Sequence, residues 1–256
     1  LFKLIEEIAD KGKNLARDMY GLNGWAVHHN ISIWREAYPS DGFVYWFFWN
    51  MSGPWLCNHI WEHYLYTKDI DFLKKYYPIL KGSATFCSEW LVENSEGELV
   101  TPVSTSPENA YLMPDGISAS VCEGSTMDIA IIRSLFSNTI NASKILQTDP
   151  LFCAELTQKV NKLKKYQIGS KGQLLEWDKE YMENEPQHRH VSHLFGLYPG
   201  CDITDNTPEL FDAARKSLNA RGNKTTGWSM AWKISLWSRL YDSLKAYEAL
   251  SNLINY

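Results

Sequence analysis

Apolar residues recur at helical spacing along most of the chain. In "LFKLIEEIADKGKNLARDMYG", Leu4, Ile5, Ile8, Leu15 and Met19 share one face, and Gly21 stops the turn. A second helix is predicted over "GPWLCNHIWEHYLYTKD", with Pro54 near its start and Leu56, Ile60 and Tyr64 on one side. A third follows in "IDFLKKYYPILKGSATFCSEWLVEN", with Asp71 as its N-cap and Pro78 demanding a kink or a break. These read as consecutive antiparallel helices. The stretch "GELVTPVSTSPENAYLMPDGIS" is interrupted by Pro102, Pro107, Pro114 and Gly116, and reads as a small hairpin or an irregular loop. "STMD", from Ser125 to Asp128, resembles a capping box and opens a helix with Ile131, Ile132, Leu135 and Phe136 on one face. Further helices are predicted over 150–165, 207–220 and 228–253. The expected fold class is all-α, with roughly seven to nine helices. No linker or shift of composition divides the 256 residues, so they read as one helical domain.

An apolar content of 45% supports a substantial core, and no apolar run approaches the roughly 20 residues that cross a bilayer, so no membrane role is expected. Net charge is -5 and the basic residues are scattered, which leaves nucleic acid without its electrostatic footprint. The five cysteines lie far apart with no CxxC pair, which argues against the usual zinc sites and suggests buried free thiols. Eleven Trp and fourteen Tyr supply either core or flat faces for stacking on sugars. The chain opens on Leu1 with no signal peptide, and its true N-terminus is expected to lie upstream.

Three clusters could carry chemistry. "TPVSTSPENAY" sets Glu108 behind Pro107, either in the first turn of a helix capped by Ser106, or as a catalytic acid on a rigid loop. "PQHRHVSHLFGLYPG" crowds His188, Arg189, His190 and His193 together. His190 and His193 could share a helical face, but HExxH is absent, which leaves packing behind a Ser192 N-cap or the binding of sugar hydroxyls. Trp46, Trp49, Trp55 and Trp61 form the third cluster, partly core, with Trp49 at a loop end before Gly53-Pro54 where a ring can face a ligand. With no GxGxxG after a strand, no P-loop and no GxSxG elbow, the stock of carboxylates, Trp, His, Arg and Asn at helix ends suits a glycosidase: one acid protonates the leaving oxygen while a second group acts on the opposite face.

"GWAVHHNISIW", "WNMSGPWLCNHIWEHY", "VSTSPENAY", "HRHVSHLFGLYPG" and "TGWSMAWKISLWSRLYD" occur in this order and resemble the catalytic domain of the α-L-fucosidase family numbered ninety-five among glycoside hydrolases. The resemblance implies an (α/α)6 barrel, an inverting mechanism, Glu108 as general acid, Arg189 and His190 in the substrate pocket, and a pocket Trp corresponding to Trp49. It implies fucosylated oligosaccharide or polysaccharide as substrate, with the fucose in α-1,2 linkage, and secretion or periplasmic export. No metal or organic cofactor is implied. The family's Asn-x-Asn motif and its catalytic Asp, in a segment resembling Gln-Ile-Asp-Gly-Asn, are not found here and are expected upstream of Leu1 and downstream of Tyr256. The expectation is therefore an incomplete barrel that carries the acid half of the site and is inactive alone. The alternatives are another (α/α)6 enzyme such as a polysaccharide lyase, which would use Tyr and His, and a non-catalytic glycan-binding protein.

Overall fold

The computed structural model describes residues 1–255. Nine α-helices occur among them: α1 Phe2–Leu15, α2 Val44–Phe47, α3 Ser52–Thr67, α4 Ile70–Trp90, α5 Thr126–Leu146, α6 Pro150–Lys162, α7 Pro208–Arg221, α8 Gly227–Arg239 and α9 Ser243–Ile254. The all-α expectation holds. No helix is long and apolar enough to cross a membrane among the described residues.

Local chemistry explains where the helices begin and end. α1 buries Ile5, Ile8 and Leu15 and runs through a π-turn, Ala16–Tyr20, to Gly21, whose φ of 67° the missing side chain permits. Met19, expected on the buried face, is exposed because that turn rotates it outward. The N-cap of α4 is Asp69, not Asp71: its carboxylate accepts from the Phe72 N–H at 2.9 Å. Pro78 does not break α4. Its missing N–H would leave the carbonyl of Lys74 unpaired, and both residues lie on the exposed face, where water can satisfy that oxygen. The helix expected over 228–253 is two helices. Tyr241 adopts a left-handed φ of 58° between them, and Asp242 caps α9 by accepting from the Lys245 N–H at 3.1 Å.

The main core gathers α1, α3, α4, α5 and α6, with α3 packed on both α4 and α5. Trp25 stands near its centre, where Gly12, Gly53 and Gly82 from three helices come so close that any Cβ would meet the indole. A second core joins α7 and α8 to Leu174, Val191, Leu194 and Leu197. Four cysteines are buried as expected, whereas Cys201 is exposed.

The proline-rich connection between α4 and α5 forms short antiparallel pairs. β1 (Val92–Glu93) pairs with β2 (Leu99–Val100), and β3 (Ser104–Thr105) with β6 (Val121–Cys122), in the register Ser104 to Cys122. β4 (Tyr111–Leu112) lies between β5 (Ser118–Ala119) and β7 (Met182–Glu183). The turn between β3 and β4 is thereby fixed at both ends, and it carries Glu108.

Candidate active site

No helix starts at Ser106. Residues 106–109 make a tight turn closed by the Asn109 N–H on the Ser106 carbonyl at 2.8 Å, with Pro107 and Glu108 at its tip. Ser106 Oγ donates to Glu176 Oε1 at 2.7 Å instead of capping a helix. The Glu108 side chain is 21% exposed and forms part of the wall of a cleft of about 820 Å³. Phe43, Tyr45, Trp46, Ser118 and Arg189 also line this cleft.

The second segment meets this turn across 81 residues of sequence. Arg189 Nη2 pairs with Glu108 Oε2, and His190 Nε2 lies 3.7 Å from the same oxygen. The segment is held from several sides. Ser192 Oγ donates to the Pro107 carbonyl, Ser229 Oγ of α8 donates to the Arg189 carbonyl, and the His190 N–H donates to His188 Nδ1 at 3.0 Å. Ser192 is therefore a tie between the two segments and not a helix cap. His190 and His193 do not share a face. His193 is buried beside Glu176, with Nδ1 3.7 Å from Oε2, whereas His190 faces Glu108.

Burial drives the imidazoles toward the neutral form. It lowers His190 to about 3 and His188 to about 4, with the charge of Arg189 acting in the same direction. A neutral ring donates from one nitrogen and accepts at the other, and Arg189 retains guanidinium N–H groups beyond the one on Glu108. This combination suits a ligand rich in hydroxyls. Among the described residues no group of three His, Cys, Asp or Glu is placed to hold a metal ion.

Trp49 is not among the residues that line the cleft. It is 9% exposed, and its indole N–H donates to Asp128 Oδ1 at 2.9 Å. Its ring begins an aromatic series, edge-to-face through Trp55 to Trp232 and then tilted onto Trp228, which packs edge-on against His190 with ring centroids 4.7 Å apart. The ring that faces the cleft is Trp46. Asp128, expected to complete a capping box, turns inward to Trp49 and Ser104, while Ser125 Oγ alone caps α5.

Three further residues lie close to Glu108 or to the turn that bears it. His29 Nε2 approaches Glu108 Oε1 to 3.6 Å, and its ring packs edge-on against Trp46. Glu176 and Arg221 form a buried ion pair behind the turn. Only His29 carried a sequence signal, as part of "VHHN"; Glu176 in "LLEW" and Arg221 near a helix end look like ordinary solvated charges.

The model of the glycosyl hydrolase family 95 catalytic domain matches residues 1–256. The chain is 42% identical to Alpha-L-fucosidase 2 of Arabidopsis thaliana over its whole length, and 29% identical to Probable alpha-fucosidase A of Aspergillus niger over 94% of it. It spans 31% of the length of each of these relatives. The 256 residues belong to the catalytic domain of glycosyl hydrolase family 95.

Proposed function

We propose that this chain supplies the acid side of an inverting α-L-fucosidase site, with Glu108 as the general acid. One observation carries the reading: a partly buried carboxylate at the tip of a braced turn faces a cleft, with Arg189, His190 and His29 within reach of its two oxygens. The fucosidase names of the relatives supply the substrate class, a terminal α-linked fucose, and the α-1,2 linkage is part of the proposal.

In the proposed reaction Glu108 gives its proton to the glycosidic oxygen as the bond from the anomeric carbon to that oxygen breaks. Water adds to the opposite face of the sugar and loses a proton to a second group, so the anomeric configuration inverts. That second group is assigned to the Gln-Ile-Asp-Gly-Asn motif, which this sequence does not contain. The glycosidic oxygen has to reach Glu108 where Arg189 now stands. In the bound state Arg189 and neutral His190 therefore turn their donors to fucose hydroxyls. Trp49 supports His190 through the aromatic series.

The test uses the complete gene product that carries this chain, assayed on 2'-fucosyllactose with the released anomer followed by NMR. β-L-Fucose is expected, and Glu108→Gln should lose about 10²–10⁴-fold in kcat, the usual contribution of general acid catalysis. Unchanged turnover in the variant, or release of α-L-fucose, would overturn the assignment.

A further inference from the structure

Glu176 is enclosed, with 4% of its side chain exposed, and it takes no part in the chemistry assigned to Glu108. It nevertheless grips the acid's turn on both sides. Ser106 Oγ donates to its Oε1 at 2.7 Å, and Asn109 Nδ2 donates to its Oε2 at 3.2 Å. These residues stand two before and one after Glu108. The same carboxylate pairs with Arg221 Nη2, from the last turn of α7, whose side chain is 3% exposed. Through Nη1, Arg221 donates to the Pro186 carbonyl at 2.8 Å and pairs with Glu183 of β7. Pro186 lies three residues before Arg189. One buried pair therefore braces both segments that meet at the acid.

Such a pair contributes little to stability relative to apolar residues of similar volume, because removing two charges from water offsets most of their attraction. It is better suited to fixing geometry. Charge-assisted hydrogen bonds are directional, and each Glu176 oxygen meets a different flank of the turn. Burial pushes the Glu176 carboxyl upward, opposed by Arg221 and by the Ser106 and Asn109 donors. Burial also works against the Arg221 charge, but Glu176 and Glu183 outweigh it.

We propose that Glu176 and Arg221 are positioning residues that set the Glu108 carboxyl against Arg189 by clamping the 106–109 turn and the 186–189 segment to one buried centre. The inference rests on Glu108 being the general acid. Its consequence is selective: a displaced acid harms substrates whose leaving group needs a proton and spares those that leave unaided.

The experiment compares the full-length enzyme with Glu176→Gln, Ser106→Ala and Glu108→Gln on 2'-fucosyllactose and on α-L-fucosyl fluoride. Glu176→Gln keeps the shape but removes the charge and one acceptor. Its kcat on 2'-fucosyllactose should fall about 10–100-fold with KM changed less than about threefold, while turnover of the fluoride stays within about threefold. Ser106→Ala leaves the ion pair intact and should show the same selectivity at about 3–10-fold, which keeps the test decisive if Glu176→Gln fails to fold. Equal losses on both substrates, or none, would overturn the positioning role. If Glu108→Gln is itself unselective, the acid assignment fails and this inference with it. If Glu108→Gln is selective and the other two variants are not, only the positioning role is lost.

Discussion

His190 and Asp128 show how burial alone sets protonation at single residues. His190 is pushed down to about 3, so near pH 5 it is almost entirely neutral and does not supply an acid limb there. His190→Asn should lower kcat/KM by about tenfold through a lost hydrogen bond, and leave the shape of the pH profile between about pH 4 and 7 unchanged. A displaced limb in that profile would make His190 the titrating group. Asp128 moves the other way. Burial raises it to about 6, against hydrogen bonds from Ser104 and Trp49 that favour the ionised form. Its folded value lies above its unfolded one, so its contribution to stability is complete below about pH 4 and lost as pH rises through about 6. Asp128→Asn removes that dependence. Urea unfolding at about pH 4 and about pH 8 should show the variant gaining on the parent by on the order of 2–3 kcal/mol across the interval. Parallel curves would mean that Asp128 does not titrate there.

The elements are set by caps and turns as much as by periodicity. The break between α8 and α9 depends on Asp242, which caps α9 and also approaches Arg215 of α7 at 3.4 Å. Asp242→Ala should cost about 1 kcal/mol and speed amide exchange in the first turn of α9, with little change in α3 to α5. Exchange that accelerates equally in every helix would argue against a local cap. The apolar pattern of 228–253 runs through this break without interruption, which explains why one helix was expected there. Asp69 and Asp71 present the same difficulty: two acids flank the start of α4, and hydrogen-bond geometry selects the first. Ser125 was legible as a cap because one residue type at the helix start was enough to mark it.

At the scale of the whole molecule, the Glu176–Arg221 pair joins α7 to the turn and segment that form the site. Arg221→Met would leave Glu176 buried without its cation, a loss of about 3–5 kcal/mol, and adding Glu176→Gln should recover part of it. Urea denaturation of the three variants checks this; no recovery in the double variant would rule out the charge explanation. The main helices were legible in the chain because α-helical periodicity is local: Ile5, Ile8 and Leu15, or Ile131, Ile132 and Leu135, declare one buried face within a few turns. Glu108, Arg189 and His190 were singled out through the order of five short segments, since neither composition nor spacing tells a carboxylate at a cleft from one in the first turn of a helix. The sequence by itself determined the helical class, the principal buried faces and the kinds of residue available for chemistry. Only the tertiary structure decided that Trp46 lines the cleft while Trp49 is buried against Asp128, that His29 approaches Glu108, and that Glu176 grips Ser106 and Asn109. The physical reason is distance along the chain: Glu176 bonds to residues 70, 67 and 45 positions away, and a side chain's environment is set by partners that local pattern cannot specify.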